Sequence, residues 1–207
     1  MKKLGGLRRR WLINTVGVVG TLGLVCVLIV TTVFAAYYYN GMVSDLRNRA
    51  QTTTDFFADY IDQDYKAYYQ SCINYANTFE DKNTIELQFI SAGGNLIATS
   101  AGNWAERAPQ TPEIGESMQL RQIRHYFGQD PHTGELILAV SSPMIYSNGQ
   151  IIGVLRYVTS TQLVIKQVLS VASICMFVFL LFLAIVLIIN SYYIRTILVP
   201  MAKITDK

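Results

Sequence analysis

"LILAVSSPMIYSNGQIIGVLRYVTS", residues 136–160, holds two apolar runs around Asn148-Gly149. That dipeptide between hydrophobic segments is the strongest short-range signal of a β-hairpin. Residues 136–146 and 151–160 therefore read as paired antiparallel strands. Seven residues, "TQLVIKQ" (161–167), then lead from the second strand into a long apolar run.

That run, Val168–Ile189, has no charged residue, and neither does a second run at Val16–Ala36. At about 1.5 Å of rise per residue, each makes a helix as long as the hydrocarbon core is thick, roughly 30 Å. Both read as membrane spans. The apolar part of the first exceeds a signal-peptide core, and "GLVC" before Cys26 lacks the small residue expected ahead of a lipid-modified cysteine.

Charge orients the spans. Lys2, Lys3, Arg8, Arg9 and Arg10 precede the first, and Arg195, Lys203 and Lys207 follow the second. Residues 41–164 hold eight Lys/Arg and thirteen Asp/Glu. Basic flanks stay inside, so both termini are expected in the cytoplasm and the middle outside. The net charge of +3 is mostly this topology signal and points to no nucleic-acid partner. Trp11, Tyr37–Tyr39, Tyr192 and Tyr193 stand where aromatic rings meet lipid headgroups.

Between the spans, Leu46, Ala50, Thr53, Phe57, Ile61, Tyr65, Tyr68, Cys72, Ala76 and Phe79 recur at three- and four-residue steps. This is one face of a long helix, which no proline interrupts between 41 and 83, so the reading carries it to about Glu80. "IELQFI" (85–90) and "NLIATS" (95–100) form a hairpin around "SAGG". The stretch "AGNWAERAPQTPEIGES" reads as irregular, long enough to be functional. "QIRHYFG" (122–128) is the third strand. The expected class is α+β: two transmembrane helices flanking a domain made of a long N-terminal helix and a five-stranded antiparallel sheet.

This order resembles the extracytoplasmic PAS-like (Cache-type) sensors of bacterial receptors. The residues that carry the resemblance are "SAGGNLIATS" and "SSPMIYSNGQIIGVLRYVTS". "VPMAKIT" (199–205) resembles the start of a HAMP linker, with Pro200, Met201 and Ile204 in the places of its opening proline and seam residues. The organisation that follows is a cytoplasmic N-terminus (1–10), a transmembrane helix (11–39), the sensor (40–164), a second transmembrane helix (165–191) and the start of HAMP (192–207). The resemblance implies a homodimeric two-component sensor histidine kinase. It would detect an extracellular small molecule or an envelope signal and act on a cognate response regulator. The chain is then expected to end where the relay begins. ATP and magnesium belong only to a kinase domain beyond it. A chemoreceptor or a cyclic-dinucleotide enzyme is the alternative output, and a membrane-anchored binding protein without output is the reading from another class.

No catalytic constellation is visible. His125 and His132 lack the neighbours of a metal shell, and Asp55, Asp59, Asp62 and Asp64 read as a solvated helix face. Cys72 stands alone outside the spans and reads as a buried small residue, with an interchain bridge as the alternative. In the resembling family, ligands bind between the sheet and the segment joining strands two and three. That implies Trp104, Arg107, Arg124, Tyr126, Ser141 and Tyr146 as ligand contacts, with arginine pairing a carboxylate and aromatic rings supplying area.

Overall fold

A computed structural model describes the backbone of residues 2–61, 65–102, 109–193 and 196. The elements run α1 (Lys2–Ile61), α2 (Tyr65–Thr78), β1 (Ile85–Ser91), β2 (Leu96–Thr99), α3 (Pro112–Leu120), β3 (Arg124–Gln129), β4 (Leu136–Ile145), β5 (Ile151–Ser160) and α4 (Gln162–Tyr193). The chain divides into two compact units. Tyr38–Val164 is one, and Met1–Tyr37 with Ile165–Lys207 is the other.

In the second of these units, α1 and α4 are both long and apolar enough to cross a membrane. Thr21, Thr32 and Ser173 donate their hydroxyls to carbonyls one turn back, at Gly17, Leu28 and Leu169. These three hydroxyls are thereby satisfied within their own helices. Gly23 lies against the Phe179 ring, where a Cβ would overlap it, and Gly20 approaches Leu183. Small residues on one helix let the other come close. Pro200, Met201 and Ile204 lie outside the described residues.

The Tyr38–Val164 unit is built on one antiparallel sheet in the order β2-β1-β5-β4-β3. The five expected strands are all present, displaced by two residues at most. One face carries Leu87, Phe89, Leu138, Val140, Met144, Leu155 and Tyr157. It buries them with Leu46, Ala50 and Phe57 of α1 and Tyr68, Cys72 and Ala76 of α2. Leu46, Ala50, Thr53, Phe57, Tyr68, Cys72 and Ala76 of the apolar stripe read from the sequence are thus buried, but they do not belong to one straight helix. Thr53 and Tyr75 place their hydroxyl oxygens 3.3 Å apart, and Arg49 pairs with Asp81 at 2.6 Å. Twenty-two residues of continuous helix would separate the first pair by about 33 Å. The helix expected to reach Glu80 is therefore two antiparallel helices, α1 ending at Ile61 and α2 returning from Tyr65.

The second departure is α3. Residues 112–117 were expected to be irregular, and they belong to a helix, Pro112–Leu120. Its start is marked by Thr111 at the N-cap, Pro112 in the first turn and Glu113 next to it, each favoured at a helix N-terminus. Gly115 and Ser117 weaken the propensity that would have revealed the rest.

The β4–β5 hairpin is closed by a wider loop than a two-residue turn. The amide of Gly149 donates to the carbonyl of Tyr146 at 2.8 Å, and Tyr146 N to Gln150 O at 2.7 Å. Gly149 alone is in the left-handed region, at φ +83°, whereas a type I′ turn needs Asn148 there too. Gly153, just past the turn, lies so close to Ile90 O on β1 that a Cβ would collide with it.

Burial between α2 and the sheet pushes the Cys72 thiol up to about 12, against a weaker opposing effect of its hydrogen bond with Tyr68. Burial likewise pushes the Tyr157 phenol up to about 12, opposed by the bond from Thr53 and reinforced by Tyr75. Both groups are neutral when protonated. The unfolded chain releases these protons near 9.0 and 10.0, whereas the folded unit holds them to about 12. Stability is therefore full below pH 8 and falls as pH rises through 9 to 12, by at most about 1.4 kcal/mol per pH unit for each group. Urea unfolding of the full chain in detergent at pH 8, 10 and 11.5 should show this loss. Cys72→Ala should flatten it above pH 9. An unchanged slope in the variant would contradict the assignment. The same burial places Cys72 in the core, where an interchain disulfide cannot reach it without opening the unit.

Candidate functional site: a polar row beneath α3

The opposite face of the sheet is covered by α3. Ile114 packs on Ile90 and Val154, with Leu96 and Met118 around them. Alongside this apolar contact runs a row of polar residues. The strand register sets Arg124 opposite Ser141, Ser141 opposite Arg156, Arg156 opposite Gln88 and Gln88 opposite Thr99. One rung thus crosses all five strands with polar side chains on the α3 face.

At its centre Arg156 is 1% exposed, and so is Glu113 of α3. Arg156 Nε donates to Glu113 Oε1 at 2.8 Å, Nη1 to Gln88 Oε1 at 2.9 Å and Nη2 to Thr111 Oγ1 at 3.0 Å. Thr111 donates to Glu113 Oε1 at 2.7 Å. Its hydroxyl is therefore used in the ion-pair network and makes no cap bond to the helix backbone. Ser117 ties the middle of α3 to β4 by donating to Ser141 O at 3.2 Å. A buried charge persists only when paired and hydrogen-bonded, and Arg156 meets both conditions with protein groups alone.

Three other polar atoms, two in the row and one on α3, do not. Among the described residues, Glu113 Oε2, Arg124 Nε and Ser141 Oγ are buried without a hydrogen-bond partner. Buried polar atoms left in this condition are rare and call for an explanation. Together they offer an acceptor, a cationic donor and a hydroxyl that can do either.

The residues expected from the sequence are divided by the structure. Arg124 and Ser141 are adjacent in the row. Tyr126 lies on the same face, packed on Ile137, Ala139 and Val158, with its hydroxyl donating to Gln129 O. Tyr146 is elsewhere. It packs against the core under α1 and α2 and lines an open groove of about 550 Å³ between two hairpin tips, with Ser91, Gly93 and Ile152. Ser141 and Tyr146 are five residues apart, so alternation already places them on opposite faces. Trp104 and Arg107 lie outside the described residues. Glu113, Arg156, Gln88 and Thr111 were not read from the sequence. The available signal was Arg156 itself, a charge within the otherwise apolar "IIGVLRYV" of a central strand.

The ligand-binding domain of Mlp24, solved with asparagine, matches with a TM-score of 0.52 at 16% identity, over 74% of this chain and 63% of that one. The outer unit has the fold of a Cache-like sensor domain. The sensor domain of the V. cholerae histidine kinase DctB matches at 0.46 and 17% identity, covering 62% of this chain and 52% of that one. The ligand-binding domain of the Pseudomonas aeruginosa amino acid chemoreceptor PctC, in complex with GABA, matches at 0.47 and 15% identity, covering 77% and 66%. This chain therefore spans less than two thirds of each of these structures. No protein-family model matches the sequence, and no curated protein does. Within the Tyr38–Val164 unit the polar row lies on the sheet face covered by α3.

Proposed function

We propose that this chain is the sensing and membrane-crossing part of a signalling receptor, and that its sensor domain binds a small polar solute at the row beneath α3. The observation that carries this reading is the set of buried, unpartnered atoms on Glu113, Arg124 and Ser141. A solute with a carboxylate for Arg124 and an ammonium or amide N–H for Glu113 would complete them. The asparagine of the Mlp24 structure carries both kinds of group.

The charge asymmetry supports an extracytoplasmic sensor with both termini in the cytoplasm. The output we favour is a histidine kinase, reached through a relay at Pro200, Met201 and Ile204 in a homodimer. ATP, magnesium and a response regulator would serve that kinase. Chemoreceptor output fits the same sensor. The coding sequence beyond Lys207 separates them, by a phospho-accepting histidine with ATP-binding boxes or by a long signalling coiled coil.

Thermal unfolding of the full chain in nanodiscs, against a panel of small carboxylates, amines and zwitterions, tests the site. A solute at a hundred times its Kd should raise the sensor's midpoint by roughly 10 °C. Arg124→Met and Ser141→Val should abolish the shift. Failure of every solute to stabilise the protein would refute the site.

A further inference from the structure

Ser141 and Ser142 are consecutive on β4, and Arg156 and Tyr157 are consecutive on β5. In each pair the first residue belongs to the polar row and the second points to the opposite face, as strand alternation requires. Both second residues bond to α1. Thr54 Oγ1 donates to Ser142 Oγ at 3.0 Å, and the hydroxyls of Thr53 and Tyr157 are 2.9 Å apart. Thr53 also reaches the Tyr75 hydroxyl of α2 at 3.3 Å. Two adjacent residues of α1 thus contact two adjacent strands, each directly behind a member of the row. Thr53 is buried, as are Ser142 and Tyr157, so these bonds are shielded from competing water. The α1 helix is continuous from Lys2 to Ile61 and includes one of the two apolar spans.

We propose that Thr53 and Thr54, with Tyr157 and Ser142, form a hydroxyl clamp that couples the polar row to α1, so that the state of the row is transmitted through the first membrane helix as well as through β5 into α4. These four are positioning residues: they touch no solute and act by fixing α1 against the strands that carry Arg156 and Ser141. The inference rests on the reading of the row as the sensing site, but its test needs no solute. A core contact made only of apolar side chains tolerates sliding and rotation, whereas a hydroxyl pair fixes direction and distance. A displacement of β4 or β5 by a fraction of a hydrogen-bond length therefore breaks the clamp or moves the helix.

The test is a double-mutant cycle read by hydrogen exchange on the full chain in nanodiscs. Glu113→Gln perturbs the row on the far face. It should change amide exchange at residues 48–58 of α1 by about threefold or more, as expected for coupled neighbours. In a Thr53→Val, Thr54→Val background, which keeps side-chain shape and removes both hydroxyls, the same change should vanish. Thr53→Ser with Thr54→Ser should restore it, which a purely structural contribution of the methyl groups would not. If Glu113→Gln does not fold, Gln88→Met, which removes a single bond to Arg156, takes its place. An equal response of α1 with and without the hydroxyls would overturn the clamp, and so would no response in either. Loss of the clamp with solute binding intact would leave the sensing site standing. A working clamp with no solute found would leave the clamp standing and the sensing site refuted.

Discussion

Glu113→Ala should cost the Tyr38–Val164 unit about 3–5 kcal/mol of unfolding free energy, because it leaves Arg156 buried without its countercharge. The guanidinium sits on a central strand, 1% exposed, and its position leaves no path to water. Gln88 and Thr111 still accept from it, but neither supplies charge. The interaction is a poor source of net stability all the same, since desolvating both ions offsets most of their attraction. Replacing both partners with apolar residues of similar volume, Glu113→Leu with Arg156→Met, should therefore recover much of the loss. Urea unfolding of the full chain in detergent measures both variants. A double variant as unstable as Glu113→Ala would mean that the bond from Arg156 to Thr111, and not the charge pair, holds α3 on the sheet. The same double variant should also remove the polar link between α3 and β5 and leave the packing of Ile114 on Val154.

The second large effect is at Phe57. Its ring is fully buried and lies 5.1 Å from the Phe89 ring, 5.3 Å from Tyr75 and 6.4 Å from Tyr68, in edge-to-face arrangements. It is where α1, α2 and the sheet meet. Phe57→Ala should cost about 3–5 kcal/mol by lost transfer energy and the cavity left among these three rings. Phe56, half exposed on the next position, should cost only about 1 kcal/mol when changed to alanine. Denaturant midpoints of the two variants compare them directly. Equal losses would mean that the cluster relaxes around Phe57, and that the α1–α2 pair is held chiefly by its hydroxyls and the Arg49–Asp81 bridge.

Strong periodicity made most of this architecture legible. The two apolar runs, the period-two strands and the glycine-bearing turns are local signals, and each appears where it was read. What escaped depended on distant contacts. The apolar stripe from Leu46 to Phe79 keeps its three- and four-residue spacing through the reversal between α1 and α2, because both helices bury the same kind of face on the same sheet. Nothing in the period marks the turn. α3 announced itself only at its first residues, Thr111-Pro112-Glu113. At the site, Arg124 and Ser141 could be paired from strand order. The partner of Arg156 could not, since Glu113 reaches it from 43 residues away in sequence. A charge inside an apolar central strand does predict that some partner exists. The groups left unpartnered have no sequence signature at all, because they are defined by what the fold fails to place beside them.

The account depends most on Arg124, whose Nε is buried beside Ser141 without a partner among the described residues. Nitrogen-15 NMR of the arginine Nε–H groups, on the full chain in nanodiscs with a stabilising solute, examines that atom itself. The Arg124 resonance, assigned by Arg124→Lys, should move on saturation. The Arg156 resonance, already bonded to Glu113, should keep its protection from exchange. A solute that shifts Arg156 and leaves Arg124 unchanged, or that moves neither, would contradict recognition at this row.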